Sequence, residues 1–97
     1  DSDESRGLGD VYKRQPQEVI NQLMNLYNRG QLAEVLEHAQ ALTKQYPEAF
    51  DIWNILGASA AQTGKLDQAV RAFEKIISLK PEEASAYLNL GNALKYL

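Results

Sequence analysis

The single histidine, His38, follows Glu34 by four residues and Glu37 by one. On a helix this would set an imidazole beside carboxylates, the start of a divalent-cation site. Three such groups without a second histidine make a poor ligand set, so the trio reads as a solvated helix face and no metal is expected. Glu82 and Glu83 adjoin like an acid pair, but they follow Pro81. There they belong in the first turn of a helix, where carboxylates are held by the helix dipole rather than set up for proton transfer. Ser85, His38 and Asp51 contain the side chains of a nucleophilic triad without the strand, turn and helix context that would assemble one. Gly7 and Gly9 precede no Lys-Ser or Lys-Thr and follow no strand pattern, so they form no phosphate loop. With no cysteine there is no thiol nucleophile, thiolate metal site or disulfide frame. The expectation is a chain that is not an enzyme and needs no cofactor.

The whole composition points the same way. Ninety-seven residues, 44% apolar and 24% charged, suit one small globular domain. No apolar run approaches the ~18 residues that cross a bilayer. The start, with Asp1, Asp3 and Glu4, lacks the basic and apolar segments of a secretory signal, so a cytoplasmic chain is expected. A net charge of -3 offers no clustered cationic footprint, which argues against nucleic acid and anionic membranes as partners.

The informative signal is a repeat. Pro47 and Pro81, Gly30 and Gly64, Gly57 and Gly91, Leu56 and Leu90, Leu32 and Leu66, and Leu42 and Ile76 are each separated by 34 residues, and Trp53 is matched by Tyr87. A full unit covers 50–83, a weaker copy 16–49, and the first 14 positions of a third 84–97. On either side of each internal glycine the apolar residues recur at steps of three and four, the period of an amphipathic helix. The spacing predicts five helices, at 17–29, 32–45, 50–63, 66–79 and 83–96. Gly64 suits the left-handed residue that ends one helix, and Pro81 forbids continuation of the next.

Trp53, Leu56, Gly57, Ala60, Ala69, Phe73 and Pro81 resemble the pattern of the tetratricopeptide repeat family, W-x2-L-G-x2-Y, A-x3-F and P on a 34-residue period, with Ala60 at the Tyr position. Tyr87, Leu90 and Gly91 repeat it in the third copy. The resemblance covers residues 16–97. It implies an all-α fold, a right-handed solenoid of antiparallel helix hairpins. Gly57 and Ala69 would let the two helices of a hairpin approach, Trp53 and Phe73 would fill the core, and the recurrence at Gly91 suggests the same close packing there. The first unit departs from the pattern: Val19, Gln22, Leu23 and Ala39 stand at the Trp, Leu, Gly and Phe positions, and Val35 at the small Ala. Such departure is common in terminal units, which meet solvent on one side.

The resemblance further implies a protein-protein interaction module that presents a concave face to a protein or peptide. The family's contact positions, with the sixth position added, give a candidate surface of Tyr27, Asn28, Asp51, Asn54, Gln62, Ser85, Asn89 and Asn92. It is polar and nearly neutral, with Ile20, Met24 and Leu88 as apolar anchors. The cationic clamp that some members use for a C-terminal carboxylate is missing, because Ile20, Met24, Ile55, Ser85 and Asn89 occupy its positions. An asparagine ladder of the kind found in protein O-glycosyltransferases would need the sixth position throughout, and Ile55 interrupts Asn21 and Asn89. The alternative function is the N-terminal array of a larger transferase, a glycosyltransferase or sulfotransferase, with its catalytic domain elsewhere. The apolar stripe Tyr87, Leu90, Leu94 and Leu97 adds an expectation of weak self-association through the C-terminal edge.

Residues 1–15 mix both charges, lack helical period and stop at the repeat boundary, which predicts a disordered tail. The run SRGLGDVYKRQ resembles translated adapter sequence rather than natural coding sequence and is set aside from fold reasoning. Without residues 1–15 nine acidic and seven basic residues remain, and the argument from charge is unchanged.

Overall fold

A computed structural model describes residues 16–97. The expected tail at 1–15 lies outside the described residues. Five helices follow one another: α1 (Pro16–Asn28), α2 (Leu32–Gln45), α3 (Phe50–Gln62), α4 (Leu66–Leu79) and α5 (Ala84–Lys95). Each bound falls within one residue of the sequence-predicted limit, and there is no strand among the described residues. Every helix packs on the next, and α1 packs also on α3, so the fold is a stack of helical hairpins in a tetratricopeptide-like repeat. No described helix is long and apolar enough to cross a membrane.

The turns show why the period is strict. Gly30 and Gly64 hold φ values of 77° and 81°, the left-handed region that glycine enters without a Cβ penalty. Around Gly30 the amide of Gln31 donates to Leu26 O at 3.0 Å and that of Gly30 to Tyr27 O at 3.0 Å. Around Gly64 the bonds are Lys65 to Ala60 O at 2.8 Å and Gly64 to Ala61 O at 3.2 Å. Both are Schellman closures, which satisfy carbonyls that a helix end leaves open.

The connections between units are copied as well. Tyr46 N donates to Leu42 O and Ala49 N to Tyr46 O, while one period later Lys80 N donates to Ile76 O and Glu83 N to Lys80 O. The Trp53 Nε1–H donates to Pro47 O at 2.8 Å, and the Tyr87 hydroxyl donates to Pro81 O at 2.9 Å. An aromatic donor six residues after the proline therefore fastens each connection to the helix that follows it. Trp53 is half-buried against the core rather than enclosed in it, which corrects the sequence reading: its indole N–H must reach the surface loop.

The core is one continuous cluster running through Leu23, Val35, Ile52, Leu56, Phe73 and Ile76. Gly57 is required there, since a Cβ at this position would lie 2.6 Å from the Phe73 ring. Gly91, by contrast, is exposed and a Cβ would meet nothing within 4 Å, so the expected close packing is absent at this copy. The 34-residue offset puts the counterpart of Phe73 past Leu97. Glu82 and Glu83 also stand slightly differently from expectation. They precede α5, with Glu83 as its N-cap residue, because the extended backbone at Glu83 opens the helix one residue late.

Candidate peptide-binding face

The first helix of each unit carries the candidate surface. Tyr27 and Asn28 lie on α1, Asp51, Asn54 and Gln62 on α3, and Ser85, Asn89 and Asn92 on α5. A 34-residue repeat returns the same helical position to the same face, so a row of family positions becomes a row in space.

Part of the set converges. Gln62 Nε2 donates to the Tyr27 hydroxyl, joining α1 and α3 at the end nearer their glycines. Gln62, Asn89 and Asn92 together line a hollow of about 310 Å³ between α3 and α5. Its remaining wall is apolar and includes Ala58, Leu66 and Phe73, with Tyr96, the C-cap residue of α5, beside them. No charged side chain lines it. Three carboxamides and a phenol thus surround a neutral, apolar floor, and each amide can donate and accept at once.

The other five candidates stand outside that hollow: Tyr27 is half-buried, and Asn28, Asp51, Asn54 and Ser85 are exposed. Asn28 ends α1, while Asp51 and Asn54 lie in the first half of α3. The Ser85 hydroxyl donates to Glu83 Oε2 at 2.9 Å and so helps open α5. Asn21 accepts a hydrogen bond from Gln17 Nε2 at 3.0 Å, and Ile55, next in that row, is buried. The sixth-position row is therefore interrupted by the core itself. Of the apolar anchors, Ile20 packs against the core, whereas Met24 is 39% and Leu88 66% exposed.

His38 is exposed and borders a separate hollow of about 280 Å³ with Leu23, Leu26 and Leu42. Among the described residues no three His, Asp or Glu side chains are grouped to hold a metal ion. The contribution of α4 to the candidate hollow, through Leu66 and Phe73, was missed from sequence. From sequence Phe73 reads as hairpin interior and Leu66 only as a repeat position, and it is the spacing between α3 and α5 that brings both to the wall of the hollow.

Residues 57–96 match the family model described as TPR repeat. The chain is 33% identical over 73 residues to the Rhomboid protease GluP of Bacillus subtilis, covering 75% of this chain and 14% of that protein. It is 39% identical over 62 residues to the Peroxisomal targeting signal receptor of Yarrowia lipolytica, covering 64% of this chain and 10% of the receptor. With the human Superkiller complex protein 3 it shares 32% identity over 59 residues, 61% of this chain and 4% of that protein. The chain therefore spans a seventh or less of the length of these curated relatives. Strict 34-residue periodicity, paired Schellman turns, repeated aromatic latches and the family match converge on one conclusion: the chain carries tetratricopeptide repeats.

Proposed function

We propose that this chain is a protein-protein interaction module whose α1, α3 and α5 face holds an extended segment of a partner protein. The observation that carries the reading is the neutral hollow in which Gln62, Asn89 and Asn92 converge over an apolar floor. Carboxamides can pair with both the N–H and the C=O of a peptide backbone, and the floor accepts a small apolar side chain. The matched segment recurs in proteins named for a protease, for a targeting-signal receptor and for a complex. It is thus not tied to one activity, which supports a non-catalytic role for these residues. A cytoplasmic setting belongs to the same reading.

Selection of unstructured peptides from a display library against the chain, at about 500 mM salt to suppress ionic binding, is the test. Each lost amide bond should weaken a selected peptide by about threefold to tenfold, so the Asn89→Ala, Asn92→Ala double variant should bind more weakly by about tenfold or more, with a melt close to the parent's. Selected peptides that ignore both substitutions would place the binding face elsewhere.

A second reading, weak self-association, rests on the C-terminal edge. Leu56 and Ala60 of α3 are buried beneath α4, whereas one period later Leu94 is 51% exposed, next to Tyr87 at 48% and Leu97 at 70%. Another copy covering this stripe would recover about 1.5 to 3 kcal/mol for each leucine fully buried. Sedimentation velocity across concentration should show a monomer–dimer equilibrium that Leu94→Glu abolishes; a single monomeric species at all concentrations defeats this reading.

A further inference from the structure

On the opposite side of α3, between α2 and α4, lies a larger hollow of about 470 Å³ whose floor includes the Trp53 ring, Leu56 and Ala72. Its rim is cationic: Lys44 from α2 and Arg71 and Lys75 from α4 all line it. These are three of the seven basic residues in 16–97, within a chain of net negative charge, and no acidic side chain lines the hollow. Lys75 Nζ stands 6.0 Å from the Trp53 ring centre. Arg71 pairs with Asp67 at 3.6 Å, but both side chains are about 70% exposed, so the pair is weak and exchangeable. Gln40 Nε2 donates to Gln68 Oε1 at 2.5 Å across the gap, tying α2 to α4 beside the hollow.

We infer that this groove is a second binding site, for a short acidic peptide segment that lays an apolar side chain on Trp53 and sets flanking carboxylates against Lys44, Arg71 and Lys75. The apolar floor distinguishes it from a site for a free anion, which has no use for an indole, two aliphatic walls and this volume. Charge selects the occupant further. Three cations suit two or three carboxylates, whereas a long polyanion would also feel the net negative field of the rest of the chain. The pairing is charge-complementary and exposed, so it should be salt-sensitive, unlike binding at the neutral face.

Trp53 is the only tryptophan in the sequence, so its emission reports on this groove. The probe is a seven-residue peptide alternating glutamate with leucine, titrated into the full chain at about 50 mM salt. We expect a saturable change in Trp53 emission, unaffected by Asn92→Ala and weakened about tenfold or more in the Lys44→Glu, Arg71→Glu double variant. Circular dichroism and a thermal melt check that this variant folds; if it does not, Lys44→Gln with Arg71→Gln takes its place and should weaken binding in the same direction. The site is overturned if the emission never saturates, if the charge variants bind as the parent does, or if the glutamine counterpart of the peptide binds equally. Inorganic phosphate producing the same response would reduce the groove to a simple anion hollow. The same response from a ten-nucleotide oligothymidylate would make it a nucleic-acid site; either result also defeats the proposal.

Discussion

At the eighth and twenty-fourth positions of the repeat, the first unit carries Leu23 and Ala39 and the second carries Gly57 and Phe73, and all four are buried. In the second unit the small residue is on the first helix and the large one on its partner, with the Phe73 ring filling the space that a Cβ on Gly57 would need. The first unit exchanges the two sizes. Interiors tolerate changes that preserve total volume far better than changes that do not. What looks like decay of the pattern in the first unit is therefore an alternative filling of the same interface. The family pattern specifies one solution to a packing condition that has at least two.

The largest effect should come from disturbing this exchange. Gly57→Leu forces a side chain into the Phe73 ring, and Phe73→Ala removes a buried ring; the latter costs about 3 to 5 kcal/mol, and the former about 3 kcal/mol or more. Joined in one chain, they give the second unit the Leu and Ala of the first. The double variant should then be at least ~2 kcal/mol more stable than the sum of the single effects allows. Urea unfolding of the four proteins measures the coupling, and additive losses would show that the two units are not alternative fillings of one interface.

The helix limits were legible in the sequence to within a residue because glycine, proline and the apolar period all act locally. The reason for Gly57 was legible too, since a glycine inside a helix costs about 1 kcal/mol relative to alanine and needs compensation. Gly91 shows where the same logic stops. The residue type recurs, but the contact that would compensate for it depends on a partner one helix further on, and local pattern carries no information about whether that partner is present. Trp53 was misread for a different reason. Its spacing from Pro47 repeats between Pro81 and Tyr87, so the signal of a side-chain latch is present in the sequence, but an aromatic at a family position reads first as core. For the candidate face, the family positions found the right helices. They could not show that only Gln62, Asn89 and Asn92 share one hollow, because that depends on how far α5 stands from α3.

Where the two units are alike rather than exchanged, they should respond alike. Gly30 and Gly64 have the same φ region and the same pair of closing bonds, and a Cβ at either would meet nothing within 4 Å. Substitution by alanine therefore carries the backbone penalty alone, about 1 to 2 kcal/mol at each site. Chemical denaturation of Gly30→Ala and Gly64→Ala should give losses equal within error. A clearly smaller loss at Gly30 would mean that the first hairpin is not closed as tightly as the second.

The latch offers a further contrast, since Val19 occupies in the first unit the position held by Trp53 and Tyr87 in the next two. Trp53→Phe keeps a ring on the core and deletes the bond to Pro47 O, at a cost of about 1 kcal/mol. Tyr87→Phe should cost less, because Tyr87 is 48% exposed and water can replace its bond to Pro81 O. Amide exchange in the two connections is the sharper readout. Protection near Pro47 should fall in the first variant and near Pro81 in the second, each without effect on the other loop.

The smallest effect is expected at the tenth position, where the three units carry Asn25, Ser59 and Ala93. Ser59 is fully buried, and its hydroxyl donates to Ile55 O at 2.8 Å and Leu56 O at 3.1 Å within its own helix. Those carbonyls are also placed to accept the ordinary helical amides of Ser59 and Ala60, so removing the hydroxyl leaves no buried carbonyl without a donor. A lost intrahelical hydroxyl bond and the higher helix propensity of alanine act in opposite directions and are each about 0.5 kcal/mol. Alanine is also what the third unit carries there, buried on α5 at Ala93. Ser59→Ala should therefore unfold within about 0.5 kcal/mol of the parent in either direction. A loss above about 1 kcal/mol would show that the hydroxyl contributes more than closure within its own turn. The second unit would then differ from the third in its polar interior as well as from the first in its apolar one.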